Sequence, residues 1–128
     1  MRWLLDSNVL IDALAGLPHG VRVLREARKR PEVSVLYSAI TRIEVLGFPN
    51  LSEQEEAAAR RLLNEFEEVA VSNAVVERTI QIRKLVRIKT PDALIAASAD
   101  TAQALVVTRN TSDFQRVPGL TVVHPDNV

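Results

Sequence analysis

The sequence predicts an α/β fold, with helices on both faces of a central, mainly parallel, five-stranded sheet. Two observations carry that expectation. Short apolar runs alternate with longer amphipathic stretches along the whole chain, the pattern of strand–helix–strand units. The runs are also apolar throughout, as strands covered on both faces must be. At 128 residues the chain fits a single domain, 1–128, large enough to form a core without staples.

The elements follow in order. Trp3-Leu4-Leu5 reads as the first strand, ending at Asp6. Val9, Leu10 and Leu14 then recur at helical spacing, and Gly16 and Pro18 close that helix. Residues 19–30 form a second helix with Val21, Leu24 and Ala27 on one side, stopped by Pro31. Val33 to Leu36 is the second strand, and Ser38 caps a helix over 39–47 that Pro49 and Asn50 break. Ser52 with Glu55 three residues on is a capping box, opening a helix with a stripe of Ala58/Ala59, Leu62/Leu63 and Phe66. Val69-Ala70-Val71 is expected as the third strand and 74–88 as the next helix. Thr90-Pro91 starts another, with Thr90 as N-cap and Pro91 at the first position. Leu105-Val106-Val107 is the fourth strand, Asn110 to Gln115 a helical turn, and Leu120 to Val123 the fifth strand.

Composition removes several chemistries. With no cysteine, disulfides, zinc–thiolate centres and thiol nucleophiles are excluded. Two histidines, His19 and His124, are few for a His-rich metal site or a Ser/His/Asp triad. The formal net charge is zero, which disfavours a globally basic nucleic-acid binder but leaves room for a local patch. Asp6 interrupts any signal-peptide apolar region, and the apolar runs fall well below the ~18 residues of a membrane span. A soluble, cytoplasmic protein is expected.

The informative residues are acidic. In open α/β sheets ligands bind beyond the carboxyl ends of the strands. Asp6 ends the first strand, Asp92 opens the Ala-rich helix and Asp113 follows the fourth strand. Each also has a plain structural role open to it: Asp6 as an N-cap, Asp92 against a helix dipole, Asp113 as the acid of a capping box. Glu44 lies inside a helix, about 40° from Ile40 and about 100° from Ile43 at 100° per residue. That places it near the apolar stripe or at its edge, where a lone carboxylate is costly unless paired or metal-bound. Converging carboxylates repel and raise one another's pKa, and a divalent cation offsets the repulsion. All-oxygen ligands favour Mg²⁺ or Mn²⁺, and such an ion suits phosphodiester hydrolysis.

Four segments carry a resemblance. Leu5-Asp6-Ser7-Asn8-Val9-Leu10, Thr41-Arg42-Ile43-Glu44-Val45, Thr90-Pro91-Asp92-Ala93-Leu94-Ile95-Ala96-Ala97 and Thr108-Arg109-Asn110-Thr111-Ser112-Asp113-Phe114 resemble the four motifs of PIN-domain ribonucleases, in order and over the whole chain. The group they look most like is the VapC-like toxins of toxin–antitoxin pairs. The resemblance implies a PIN-like α/β/α fold and a metal-dependent endoribonuclease, usually a homodimer, held inactive by a cognate antitoxin. By position, Asp6, Glu44 and Asp92 match the three principal acidic ligands. At the fourth position this chain has Asn110 directly after Thr-Arg and an acid, Asp113, three residues later. Thr108 and Asn110 then hold the loop or a metal-bound water. Ser7 and Asn8 fit the polar pair after the first aspartate, with Asn8 orienting Asp6 or Asp113, or simply starting the helix.

The charge is unevenly spread. Residues 22–30 and 78–89 are net +4 and +5, and residues 53–68 are net −4. These are solvated helix faces or, for the basic segments, phosphate contacts. Arg42, Lys89 and Arg109 lie beside acidic motifs and are the candidates to touch RNA. Few aromatics argue against a base-stacking platform. Two other activities share the first strand and aspartate. A haloacid-dehalogenase-like phosphatase needs a second acid where Asn8 stands, and a receiver domain needs an acid ending a middle strand, where Leu36-Tyr37-Ser38 offers none. A non-catalytic PIN-like module binding RNA or protein is the remaining alternative.

Overall fold

The computed structural model describes all residues from Met1 to Val128. Five strands, β1 (Arg2–Leu5), β2 (Ser34–Ser38), β3 (Glu67–Val69), β4 (Leu105–Val107) and β5 (Val122–Val123), form one sheet. The order is β3-β2-β1-β4-β5, and every pairing is parallel. The helices are α1 (Ser7–Leu14), α2 (Pro18–Arg28), α3 (Ala39–Leu46), α4 (Glu53–Asn64), α5 (Asn73–Leu85), α6 (Thr90–Thr101) and the single turn α7 (Thr111–Phe114). A 3-10 turn over Pro125–Asn127 ends the chain. No helix is long and apolar enough to cross a membrane.

Strand periodicity sorts the core into two layers. Leu4, Leu36 and Val106 face α5 and α6, packing on Val75, Ile82, Ile95 and the run Ala93, Ala96, Ala97, Ala99. Trp3, Leu5, Tyr37 and Val107 face the other way, onto Val9 and Leu10 of α1, Val23 and Leu24 of α2, and Ala59 and Leu63 of α4. Small residues on α6 let that helix lie close to the sheet. At the α1–α2 crossing the approach is closer still. A Cβ on Gly20 would meet the Ala13 amide nitrogen at 2.2 Å and the Val9 carbonyl at 2.4 Å, so the missing side chain fixes how α1 is held.

Several boundaries differ from the sequence expectation: the second strand runs Ser34–Ser38 rather than Val33 to Leu36, and the second helix Pro18–Arg28 rather than 19–30. The third strand is Glu67–Val69, not Val69 to Val71, with Glu67 to Val69 paired against Leu36 to Ser38. It is an edge strand, where acidic side chains guard an open ladder, and the apolar run continues instead into the loop before the Ser72 cap. The fifth strand shrinks to Val122 and Val123. The helix expected over 74–88 ends at Leu85, because Val86 turns extended. The next helix is capped by Lys89, with no side-chain cap bond. Thr90 and Pro91 therefore fall one place further in, and Pro91's missing N–H is among the donors a first turn leaves free.

The topology also makes the crevice. From β1 the chain lays β2 and β3 on one side and β4 and β5 on the other, so connections diverge between the carboxyl ends of β1 and β4, a switch point where open α/β sheets bind ligands.

Candidate active site

Asp6 sits at that switch point. Its backbone N–H donates to the Val107 carbonyl at 3.0 Å, tying the end of β1 to β4. Its side chain is also the N-cap of α1, Oδ1 accepting from the Ser7 amide at 2.8 Å. Oδ2 accepts from Asn8 Nδ2 at 2.9 Å and from the Thr108 hydroxyl at 2.7 Å. Thr108 is fully buried, and its Oγ1 accepts from the Asn110 amide at 2.9 Å. Capping and site-building are thus one role, not two. Burial pushes the Asp6 carboxyl up to about 6, with Thr108 and Ser7 pulling down and the charges of Asp92 and Glu44 pushing up.

Glu44 is exposed rather than set against the apolar stripe. The buried face of α3 is defined by Thr41 and Val45, while Ile43 is 71% exposed. One hydroxyl links this helix to α1: Ser7 Oγ donates to Glu44 Oε1 at 2.6 Å and lies 2.9 Å from Thr41 Oγ1. Asp92, in the first turn of α6, is half-buried. Burial raises its pKa, Asp113 and Glu44 raise it further, and Lys89 opposes them. Asp113, on α7, accepts from Asn110 Nδ2 at 2.8 Å and pairs with Arg116 at 3.4 Å. Asn110 and Asp113, the two candidates for the fourth position, are therefore bonded to one another. Asp92 and Glu44 lie within electrostatic range of Asp6, and Asp113 and Glu44 within range of Asp92.

Residues 3–120 match the family model of the PIN domain. The chain belongs to the PIN domain family. Its fold is similar to that in a toxin–antitoxin complex from Klebsiella pneumoniae, with 32% identity, TM-score 0.80 and 98% of each chain covered. It is similar to a chain of FitAcB from Neisseria gonorrhoeae, with 26% identity, TM-score 0.75 and coverage of 98% of this chain and 99% of that one. A chain of DNA-bound VapBC from Salmonella typhimurium shares the fold at 24% identity, TM-score 0.81 and 98% coverage of each. No curated protein matches the chain.

In this PIN domain the expected basic residues separate into two kinds. Arg42 forms an ion pair with Glu68 at 2.6 Å. Arg109 Nε donates to Asp12 Oδ2 at 2.7 Å, and its backbone N–H reaches Asn8 Oδ1 at 3.4 Å. Both arginines have work inside the protein. Lys89 is exposed, in no ion pair, and its charge acts on Asp92. Two residues were missed. Asp12 is a buried acid whose signal was its place among Val9, Leu10, Ile11, Ala13 and Leu14, where a charge needs a partner. Thr41 is fully buried, and its signal was a polar residue three before Glu44, on the turn that faces α1. A second donor cluster shares no residue with the carboxylates. His19, His124 and Asp126 each offer a donor atom within 4.8 Å of the others, although the sequence expectation was that two histidines are few for a metal site.

Proposed function

We propose that this PIN domain is a Mg²⁺- or Mn²⁺-dependent endoribonuclease that hydrolyses RNA phosphodiester bonds, and the toxin of a toxin–antitoxin pair. One observation carries the reading: Asp6, at the β1/β4 switch point, and Asp92 are both held above the ordinary carboxylate range, chiefly by burial, with Glu44 raising both and Asp113 raising Asp92 further. Burial and the repulsion added to it, opposed at Asp92 by Lys89, are what a divalent cation would offset. The donors are all oxygen, which fits Mg²⁺ or Mn²⁺ and not a thiolate- or imidazole-seeking ion. Asp6, Glu44, Asp92 and Asp113 would hold it. The chemistry it would supply is a lowered pKa for an attacking water and stabilisation of charge on the leaving oxygen.

The remaining work belongs to this chain. Thr108, Asn8 and the Ser7 amide fix both oxygens of Asp6 before anything binds, so little reorganisation is left for the reaction. Ser7 Oγ aims Glu44 into the same space. Arg83, Lys84, Arg87 and Lys89 are exposed and in no ion pair; they run from the last turn of α5 to the cap of α6, where phosphate contacts would position RNA without reading its sequence. By contrast, Lys29 and Arg30 are paired with Glu26, and Arg28 with Glu65.

The antitoxin reading is supported by a groove between α1, α3 and α4, lined by Ile11, Leu14, Val45, Phe48, Leu51 and Ala58. Two of those helices carry site residues. A partner anchored there by apolar side chains can send an arginine to the carboxylates and compete with the metal. The solved chain from Klebsiella pneumoniae belongs to a toxin–antitoxin complex. A homodimer is expected too, and Val76 and Ile80, partly exposed one turn apart on α5, offer it an apolar face; sedimentation of the purified chain tests it, and a monomer at micromolar concentration contradicts it. The deciding experiment is RNA cleavage by the purified protein. Cleavage should require Mg²⁺ or Mn²⁺, stop with EDTA and be lost in Asp6→Asn. Cleavage that survives EDTA, or wild-type rates in Asp6→Asn, refutes the reading.

A further inference from the structure

The tail of the chain brings the two histidines together. His19 lies in the first turn of α2, and His124 immediately precedes the 3-10 turn. Their rings meet edge to face, with centroids 5.2 Å apart. Asp126 reaches both: Oδ1 is 3.4 Å from His19 Nε2, and Oδ2 is 3.5 Å from His124 Nδ1. We propose that His19, His124 and Asp126 form a second metal site, for a transition ion of the Zn²⁺ class, and that this ion fastens the C-terminal tail to α2.

Spacing, chemistry and preorganisation support it. Zn–N and Zn–O bonds of about 2.0–2.1 Å put neighbouring tetrahedral donors about 3.3–3.4 Å apart; His19 Nε2 and Asp126 Oδ1 stand 3.4 Å apart, and all three side chains offer a donor within 4.8 Å of the others. Two imidazoles and one carboxylate suit Zn²⁺, Ni²⁺ or Cu²⁺, whereas the carboxylate site selects harder ions. The two sites therefore sort metals by softness. Three protein donors also leave an open coordination position. The backbone around the cluster is already fixed. Arg22, one turn along α2 from His19, donates from Nε to the Pro125 carbonyl at 3.2 Å and from Nη2 to Val128 O at 3.0 Å. His124 Nδ1 accepts from the Asp126 amide at 3.1 Å, which fixes the ring and leaves Nε2 as the nitrogen to ligate an ion. Side-chain exposures of 40%, 28% and 62% for His19, His124 and Asp126 let an ion enter without unfolding. What it would secure is the tail, where Val128 packs against the core layer that holds Val9, Leu10, Val23 and Leu24.

The test uses tag-free, full-length protein, titrated with Co²⁺ and then Zn²⁺, read by imidazole ¹H–¹⁵N spectra and by melting temperature. Both histidines should shift with Co²⁺, Zn²⁺ should compete, and Zn²⁺ should raise the melting temperature. His19→Gln should abolish the His124 shift and most of the stabilisation. His124→Gln should do the same for His19, but because His124 also caps the tail turn, His19→Gln is the cleaner variant. Asp6→Asn, which disables the carboxylate site, should leave the histidine shifts intact, so this inference stands or falls independently of the nuclease reading. Histidines unmoved by either ion, a His124 shift that persists in His19→Gln, or shifts lost in Asp6→Asn would overturn it and leave the cluster as ion pairs alone.

Discussion

Asp6 is 4% exposed and both its oxygens are bonded, whereas Glu44, on the adjacent helix, is exposed and takes one bond, from Ser7. Asp92 and Asp113 resemble Glu44 more than Asp6: both are half-buried and sit in first helical turns rather than at a strand end. The floor of the site is thus rigid and desolvated, and its rim is open and adjustable. The difference follows from the fold. A residue ending a central strand is covered by both helical layers, while helix termini around the crevice face solvent on one side. A carboxylate on the floor is therefore costly to ionise and precise in position, and one on the rim keeps more contact with solvent.

The largest effect should come from removing charge from the floor. Asp6→Asn should lower metal-dependent cleavage by more than the ~10–100-fold typical of outer-shell changes, with unchanged circular dichroism. Asp113→Asn, on the rim, should fall within that range. Equal losses in the two, measured as kcat/KM on one RNA, would erase the distinction.

Metal-free stability should show the same asymmetry. Asp6 rises from 3.8 to about 6 on folding, so between those values the folded state holds a proton that the unfolded state has lost. Stability in EDTA should then fall as pH rises from 4 to 6, by up to about 3 kcal/mol at 1.36 kcal/mol per pK unit. Asp6→Asn should flatten that slope, and Mg²⁺ should offset it in the wild type. Denaturant midpoints across that pH range measure it, and a wild-type slope that stays flat in EDTA would mean that Asp6 folds with its ordinary pKa.

Thr108→Val tests whether the floor is preorganised. The change keeps the shape and removes the donor to Asp6 and the acceptor for the Asn110 amide. Metal affinity should drop about 10–100-fold, and the Asp6 pKa should rise because a bond to the charged form is lost. Unchanged affinity by calorimetry would mean Thr108 serves packing alone.

How much of this was legible depends on range. Asp6 after an apolar strand and Asp92 after Thr90-Pro91 were local signals; Asp6 is the N-cap of α1 and Asp92 lies in the first turn of α6. Glu44 was misjudged because its angle was measured from Ile40 and Ile43. Ile43 points outward, so helical periodicity gave the right period with the wrong face. The third strand was displaced because an edge strand is defined by its ladder, and Glu67 and Glu68 carry no apolar signature. The Arg109–Asp12 pair, the Ser7–Glu44 bond and the histidine cluster join distant parts of the chain, and no local pattern reports such meetings.

The smallest effect expected concerns the basic rim. Lys89 and Arg42 each lie beside an acidic motif, but Arg42 is held by Glu68 and Lys89 by nothing. A cation that contacts phosphate releases counterions, and for single strands each such contact adds about 0.7 to the slope of log affinity against log salt. Lys89→Ala should therefore reduce that slope by about 0.7 and weaken binding evenly across RNA sequences, since phosphate contacts carry no base information. Arg42→Ala should leave the slope nearly unchanged, because Glu68 already neutralises it and an exposed pair contributes only ~0–1 kcal/mol to stability. Binding measured on the Asp6→Asn protein avoids cleavage during the titration. If Arg42→Ala changes the slope and Lys89→Ala does not, RNA opens the Arg42–Glu68 pair and approaches over α3 and β3 instead of over the start of α6.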